Sequence, residues 1–215
     1  MIKENKRILM ITSLIILLPV LVGLLLWHQL PEQIPVHFNS EGVADSYQSK
    51  LWGVTFIYLV IFACHWFPAI ITSVDPRRRN ISSKIYRLVL WICPVISVFV
   101  GVTIYGTALN WPWVNINFMA NLLLGVIFIV IGNYLPKCRQ NYTVGIKVPW
   151  TLASEANWDA THRMAGKLWV AGGVLILLLA IQPWIPAFPI SLVLILAVTF
   201  IPMIYSFVYY LRNEK

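Results

Sequence analysis

Four histidines and eight carboxylates are all the side-chain imidazole and carboxylate groups of this 215-residue chain, so proton or metal chemistry built on them would rest on very few side chains. Two groupings have suggestive spacing. His37, Glu41 and Asp45 recur every four residues, and on a helix they would share one face, as metal ligands do. Gly42 and the prolines at 31 and 35 argue against a helix, which leaves a surface histidine satisfied by its neighbours as the competing reading. Glu155, Asp159 and His162 fall at i, i+4 and i+7, two carboxylates and an imidazole that could hold a divalent metal or exchange protons. No nucleophile elbow, His-Glu-x-x-His or phosphate-cradling glycine loop accompanies them. That favours an interfacial helix whose first-turn acids answer the helix dipole. His65 is the one ionisable residue deep inside an apolar run. Such groups are functional candidates by default, against the plainer alternative of an imidazole hydrogen-bonded to a neighbouring helix.

The elements that must carry these residues follow from composition. Apolar residues make up 59% of the chain and charged residues only 11%, where a soluble domain carries roughly a quarter. A disordered tail, a disulfide-framed secreted domain and an ordinary cytosolic enzyme are thereby excluded. Apolar runs at Ile8–Trp27, Leu51–Val74, Leu88–Leu109, Phe118–Leu135, Leu168–Gln182 and Pro189–Leu211 suit a bilayer core about 30 Å thick. The fold class is therefore all-α: a polytopic membrane protein with six transmembrane helices, forming a single integral membrane domain over residues 1–215. The first run is too long for a signal-peptide core and reads as a retained span. Cys64 and Cys93 fall inside spans and Cys138 in a loop, so no disulfide framework is expected.

Basic residues cluster before the first run, after the sixth and in the even-numbered loops, notably Arg77–Arg79; Lys50 alone lies in an odd-numbered loop. By the positive-inside rule both termini and the even loops face the cytoplasm. The net charge of +8 then reads as topology and attraction to the lipid bilayer, with no direct nucleic-acid binding.

Two loops are long enough for specific chemistry. The outside loop, residues 28–50, carries three acids against Lys50, a balance that favours a cationic partner. Its Pro-Val-His-Phe-Asn piece reads as strand-like between turns, and Gly42 permits one of those turns. In the inside loop, residues 136–167, Gly145 and Pro149 punctuate a non-helical stretch, and Asn133 and Asn141 can satisfy its free backbone groups. Ser154 is a fair N-cap for a helix that can run straight into the fifth span. Trp150 and Trp158 suit the half-wet headgroup level, and His162, one turn after Trp158, can hydrogen-bond back to the loop.

These loops carry a resemblance. Leu30-Pro-Glu-Gln-Ile-Pro-Val-His-Phe-Asn, followed by Gly42, Asp45 and Lys50, resembles the first-loop motif of a bacterial membrane family of unknown function. Gly132-Asn-Tyr-Leu-Pro-Lys, then Asn141, Gly145, Pro149-Trp-Thr-Leu with Thr151, Trp158 and Thr161-His162, resembles the carboxyl-terminal motif of the SdpI family. The motif regions cover about 8–74 and about 118–211. Lys147 stands where that motif has arginine, which keeps the charge and gives up bidentate hydrogen bonding. The resemblance implies a multi-pass protein of the bacterial cell membrane, not an enzyme, with no cofactor and no metal. It implies immunity to a secreted peptide toxin and, in a further branch, signalling by sequestering a small helix-turn-helix repressor at the cytoplasmic face. On that reading His37, Asn39, Glu41 and Asp45 contact the peptide. The inside-loop motif residues, Asn133 to His162, are structural or dock the partner. The alternative is a small transporter or metal-dependent membrane enzyme built on His65 or the Glu155 face.

Overall fold

The computed structural model describes residues 1–182 and 187–213. Six of its helices are long and apolar enough to cross a membrane, and the chain is a multi-pass helical membrane protein. These are α1 (Lys6–Leu25), α2 (Lys50–Val74), α3 (Ser83–Ala108), α4 (Ile116–Tyr134), α6 (Glu155–Ile181) and α7 (Ala187–Asn213). The short α5 (Pro149–Ala153) precedes α6. Between α1 and α2 lies an antiparallel hairpin, β1 (Gln33–Phe38) and β2 (Ala44–Ser49).

Each apolar run becomes one helix, with ends that differ for local reasons. α3 starts at Ser83, five residues before its apolar run, so Lys84 and Arg87 ride on its exposed first turns. α6 differs most: it begins at Glu155, where Ser154 Oγ accepts the Asn157 N–H at 3.2 Å, and continues unbroken to Ile181. The cap and the span are one helix because nothing between them breaks the hydrogen-bond ladder.

The chain forms two compact units. The first holds Met1–Ile70 and Arg87–Leu123. Its core joins Leu30 and Ile34 to Val54 and Tyr58 of α2 and to Ile104 and Tyr105 of α3. Pro19 has no N–H to give to the Ile15 carbonyl, and around that gap α3 reaches across to α1. The Ser97 hydroxyl donates to the Ile16 carbonyl at 2.8 Å, and the Tyr105 hydroxyl to that of Pro19 at 2.9 Å. The hairpin is pinned at its base by Lys50, whose ammonium is buried against Glu32 (2.8 Å) and lies 5.4 Å above the Trp27 ring.

The second unit holds Ile71–Tyr86 and Leu124–Lys215. Here α4 and α6 meet on two glycine pairs: a Cβ on Gly125 would stand 2.9 Å from the Gly173 carbonyl, and one on Gly166 would stand 2.7 Å from that of Gly132. Without side chains the backbones can come this close. Phe128 packs on Trp169 with centroids 4.9 Å apart, and the indole of Trp169 donates to the Val198 carbonyl of α7 at 2.8 Å. Asn157 closes the other end of the α6–α7 contact. Its amide donates to the Ser206 carbonyl at 3.0 Å, and the Ser206 hydroxyl returns a bond of 2.8 Å.

Candidate functional site

Two polar regions carry the residues that the sequence marks out. The first is the hairpin. Asn39 builds its turn: the side-chain oxygen accepts the Glu41 and Val43 N–H groups, each at 3.0 Å, and Gly42 takes φ +80°. That turn reverses the chain, so His37 and Asp45 face each other across the two strands instead of along a helix. His37 Nδ1 donates to the Asp45 carboxylate at 2.5 Å. His37, Asn39, Glu41 and Asp45 are all exposed. The helical face imagined for His37, Glu41 and Asp45 is replaced by a cross-strand pair, with Glu41 at the tip.

The second region is a cradle formed in the second unit by the loop after α2 and the segment between α4 and α6. Its floor is Trp158, wholly buried, whose indole N–H donates to the Cys138 carbonyl at 2.7 Å. The sequence suits Trp158 to the half-wet membrane surface; in the structure it is a core residue, because both its polar edge and its ring face find partners inside the protein. His162 stacks on it with centroids 4.0 Å apart. His162 Nδ1 donates to the Trp158 carbonyl at 2.8 Å, and Nε2 accepts the Ile146 N–H at 2.9 Å. One donating and one accepting nitrogen describe a neutral ring in a fixed tautomer.

Gly145 makes that last bond possible. It lies at φ +125°, and a Cβ there would stand 2.5 Å from His162 Nε2 and 2.9 Å from the Trp158 ring. Only glycine combines that backbone with that contact. Asn141 uses its whole amide within the loop: it accepts the Thr143 and Val144 N–H groups (2.9 and 2.7 Å) and donates to the Arg139 and Val144 carbonyls (2.8 and 2.9 Å). Thr151 starts α5. Its oxygen accepts the Val148 N–H at 3.0 Å, and its proton has the Ile146 carbonyl 2.9 Å away. Thr161 donates to Asn157 at 3.1 Å, supporting the α6–α7 lock. Trp150 packs on Phe207 of α7, with centroids 5.0 Å apart, behind the Pro149 entry to α5. Asn133 is exposed at the end of α4.

The cradle has members that sequence reasoning does not reach. Asp75 is 2% exposed and accepts three bonds: the Arg77 N–H (2.7 Å), the Tyr142 N–H (2.9 Å) and the Thr143 hydroxyl (2.9 Å). The Arg77 guanidinium lies 4.9 Å above the Tyr142 ring and donates to the Gln140 side chain. Asn80 donates to the Gln140 carbonyl at 2.7 Å, while the Gln140 amide donates to the Thr151 and Leu152 carbonyls (2.7 and 3.0 Å). Arg77 therefore ties two loops together as well as supplying positive charge. The available signal was Asp75 itself, the one acid in a loop of arginines at the end of an apolar run. Cys138 is buried beneath the same loop, and burial pushes its thiol up to about 11.

Glu155 and Asp159 remain exposed, whereas His162 turns into the protein with both nitrogens engaged. The three do not converge. Among the described residues no cluster of three histidine, cysteine or acidic side chains is arranged to hold a metal. His65 of α2 bonds to Thr12 of α1, Nε2 to Oγ1, at 3.0 Å.

Comparison with known proteins covers both regions. Residues 137–210 match the SdpI/YfhL protein family, and residues 14–62 match a domain of unknown function, DUF1648. The chain is 25% identical over 205 residues to the immunity protein SdpI of Bacillus subtilis (strain 168), which spans 93% of this chain and 94% of that one. No solved structure matches.

Proposed function

We propose, from the premise that this is a multi-pass membrane protein of SdpI-type sequence, that it is an immunity protein of the bacterial cell membrane. It binds a secreted antimicrobial peptide at the hairpin and protects the cell exposed to it. The observation that carries this reading is the end-to-end similarity to an immunity protein, which takes in the hairpin and the cradle together. The two regions divide the work. The hairpin presents exposed polar and acidic groups to a ligand outside, and the cradle holds the opposite loops in one shape.

A signalling branch extends the reading: the cradle offers a small helix-turn-helix repressor a docking surface that responds to peptide. Its support is the placement of exposed Arg139 and Lys147 on a loop that Asp75, Gln140 and Asn141 make rigid. The test of immunity is expression in a peptide-sensitive strain, challenged with the secreted peptide of a producing strain. Survival that depends on the protein is the expected result, and equal killing with and without it would refute the function. Reporters fused after residues 40, 80, 114, 145 and 186, the last of which lies outside the described residues, test the sidedness on which the division of work depends. They should read outside, inside, outside, inside and outside.

A further inference from the structure

Among the described residues the hairpin is a two-stranded sheet, so each strand has one neighbour and one unpaired edge. The two edges are not alike. In an antiparallel pair, residues alternate between bonding the partner strand and pointing their N–H and C=O groups away from it. The Lys50 N–H donates to the Glu32 carbonyl at 2.9 Å, which fixes the phase of the ladder. Ile34 and Gln48 then form a bonded pair, whereas Pro35 with Tyr47 and Gln33 with Ser49 form non-bonded pairs. Pro35 thus costs the hairpin nothing internally, because its missing N–H would have faced away from β2. The same geometry removes a donor from the outer edge of β1. Ile34 and Pro35 are also buried, so that edge is both blunted and covered.

The edge of β2 has the opposite character. Its backbone groups at Tyr47 and Ser49 face away from β1, and Asp45 through Ser49 are exposed without interruption. An open edge is usually guarded by proline or lysine, and Ala-Asp-Ser-Tyr-Gln-Ser has neither. Its one charge is the Asp45 carboxylate, with Glu41 beside it at the tip. The single lysine of the loop is buried on Glu32 at the other end. A second copy of the chain pairing through β2 would bring like charges together, whereas a cationic strand would meet opposite ones.

We propose that β2 captures an extended, cationic segment of the peptide ligand by strand addition, with the backbone groups of Tyr47 and Ser49 as the pairing template. This rests on the reading that the chain binds a peptide, and it names the mode and the chemistry. Main-chain bonds supply affinity in such a complex, and alternate side chains supply selectivity.

The probe is a fluorescent dodecapeptide of alternating lysine and valine, titrated against the full-length protein in nanodiscs of zwitterionic lipid, with empty nanodiscs as the blank. Tyr47→Pro removes an outward-facing donor and no bond of the hairpin, and should weaken binding about tenfold. Tyr47→Ala keeps the backbone and should change binding less than about threefold. On the unaltered protein, the same peptide with alternate backbone nitrogens methylated should also lose about tenfold, a measurement that does not depend on any variant folding. Equal binding by Tyr47→Pro and Tyr47→Ala, equal binding of the methylated peptide, no binding to the wild type, or equal affinity for a glutamate–valine peptide would each overturn the proposal. A Tyr47-dependent dimer that excludes peptide would overturn it in favour of a second copy. Protection assays separate this from the larger reading. Wild type and Tyr47→Pro protecting equally would remove the strand and leave immunity standing, whereas a wild type that gives no protection would remove immunity itself.

Discussion

The hairpin and the cradle are both polar, both irregular in sequence and both tied to the ends of membrane helices, yet they treat their polar groups in opposite ways. In the cradle Asp75, Gln140, Asn141, Thr151 and His162 spend their hydrogen-bonding capacity on one another and on the backbone, and all five are buried. In the hairpin the polar side chains stand in the open, and beyond the His37–Asp45 pair and the Asn39 turn they are committed to little. A buried polar group is expensive to leave unpaired, so the cradle should be sensitive to every change. Exposed groups contribute little to stability and remain available to a ligand. Resemblance to a family motif marked both regions; burial distinguishes a region that holds shape from one that can meet a partner.

The sharpest way to break this contrast is to empty the cradle floor. Trp158→Ala removes a wholly buried aromatic side chain and its bond to the Cys138 carbonyl, a loss of roughly 3–5 kcal/mol. Membrane abundance and the thermal midpoint in detergent should both fall steeply, and an unaltered midpoint would mean that the loop does not depend on its floor. Next in size is Gly145→Ala, which combines a strained backbone with a Cβ driven against His162, for about 1–3 kcal/mol of strain. Limited proteolysis within 138–148 should accelerate. Asp75→Asn replaces an oxygen that accepts two bonds, or one that accepts a single bond, with an amide donor facing an N–H group. A loss of roughly 1–3 kcal/mol is expected, read as a lower midpoint without loss of membrane insertion.

The hairpin should answer differently. Replacing His37, Asn39 and Asp45 together by alanine should lower the midpoint by no more than the Asn39 turn is worth, about 1 kcal/mol, while protection against the peptide is lost. A triple variant that still protects would move recognition away from the hairpin. The smallest effect is chemical. With its thiol raised to about 11, Cys138 stays protonated at pH 8, so a maleimide should leave it unlabelled in the folded protein and label it after denaturation. Rapid labelling of the native protein at Cys138 would show that the cradle opens.

The spans were legible because a helix in lipid must be apolar for its whole length, and each of the six runs returned a helix. The start of α6 was legible because Ser154, with acids behind it, is a cap that the backbone needs. Pairings across long separations were not. Nothing local in Asp75 announces Tyr142 and Thr143, and nothing in Asn157 announces Ser206, because such bonds depend on packing that brings distant segments together. The helical arithmetic for Glu155, Asp159 and His162 was sound as far as it went. It could not say which members of the face turn inward: burial, which periodicity cannot supply, took His162 and left the two acids in the open. The strand-like piece around His37 was visible, but its register and its open edge needed the fold.

The two glycine pairs between α4 and α6 bear on how the second unit can move. Gly125 and Gly132 are seven residues apart, as are Gly166 and Gly173, and seven residues advance a helix by about 10.5 Å in nearly two turns. The crossing is therefore keyed at two points. A slide of one residue, or a rotation of about 100°, would push a side chain into the facing backbone at both points at once. In mechanical terms α4 and α6 form a strut without play. α7 is keyed to the same helix: a Cβ on Gly172 would stand 2.6 Å from Val198, and the Asn157–Ser206 and Trp169–Val198 bonds hold the contact on either side, so a displacement of α6 has to carry α7 with it.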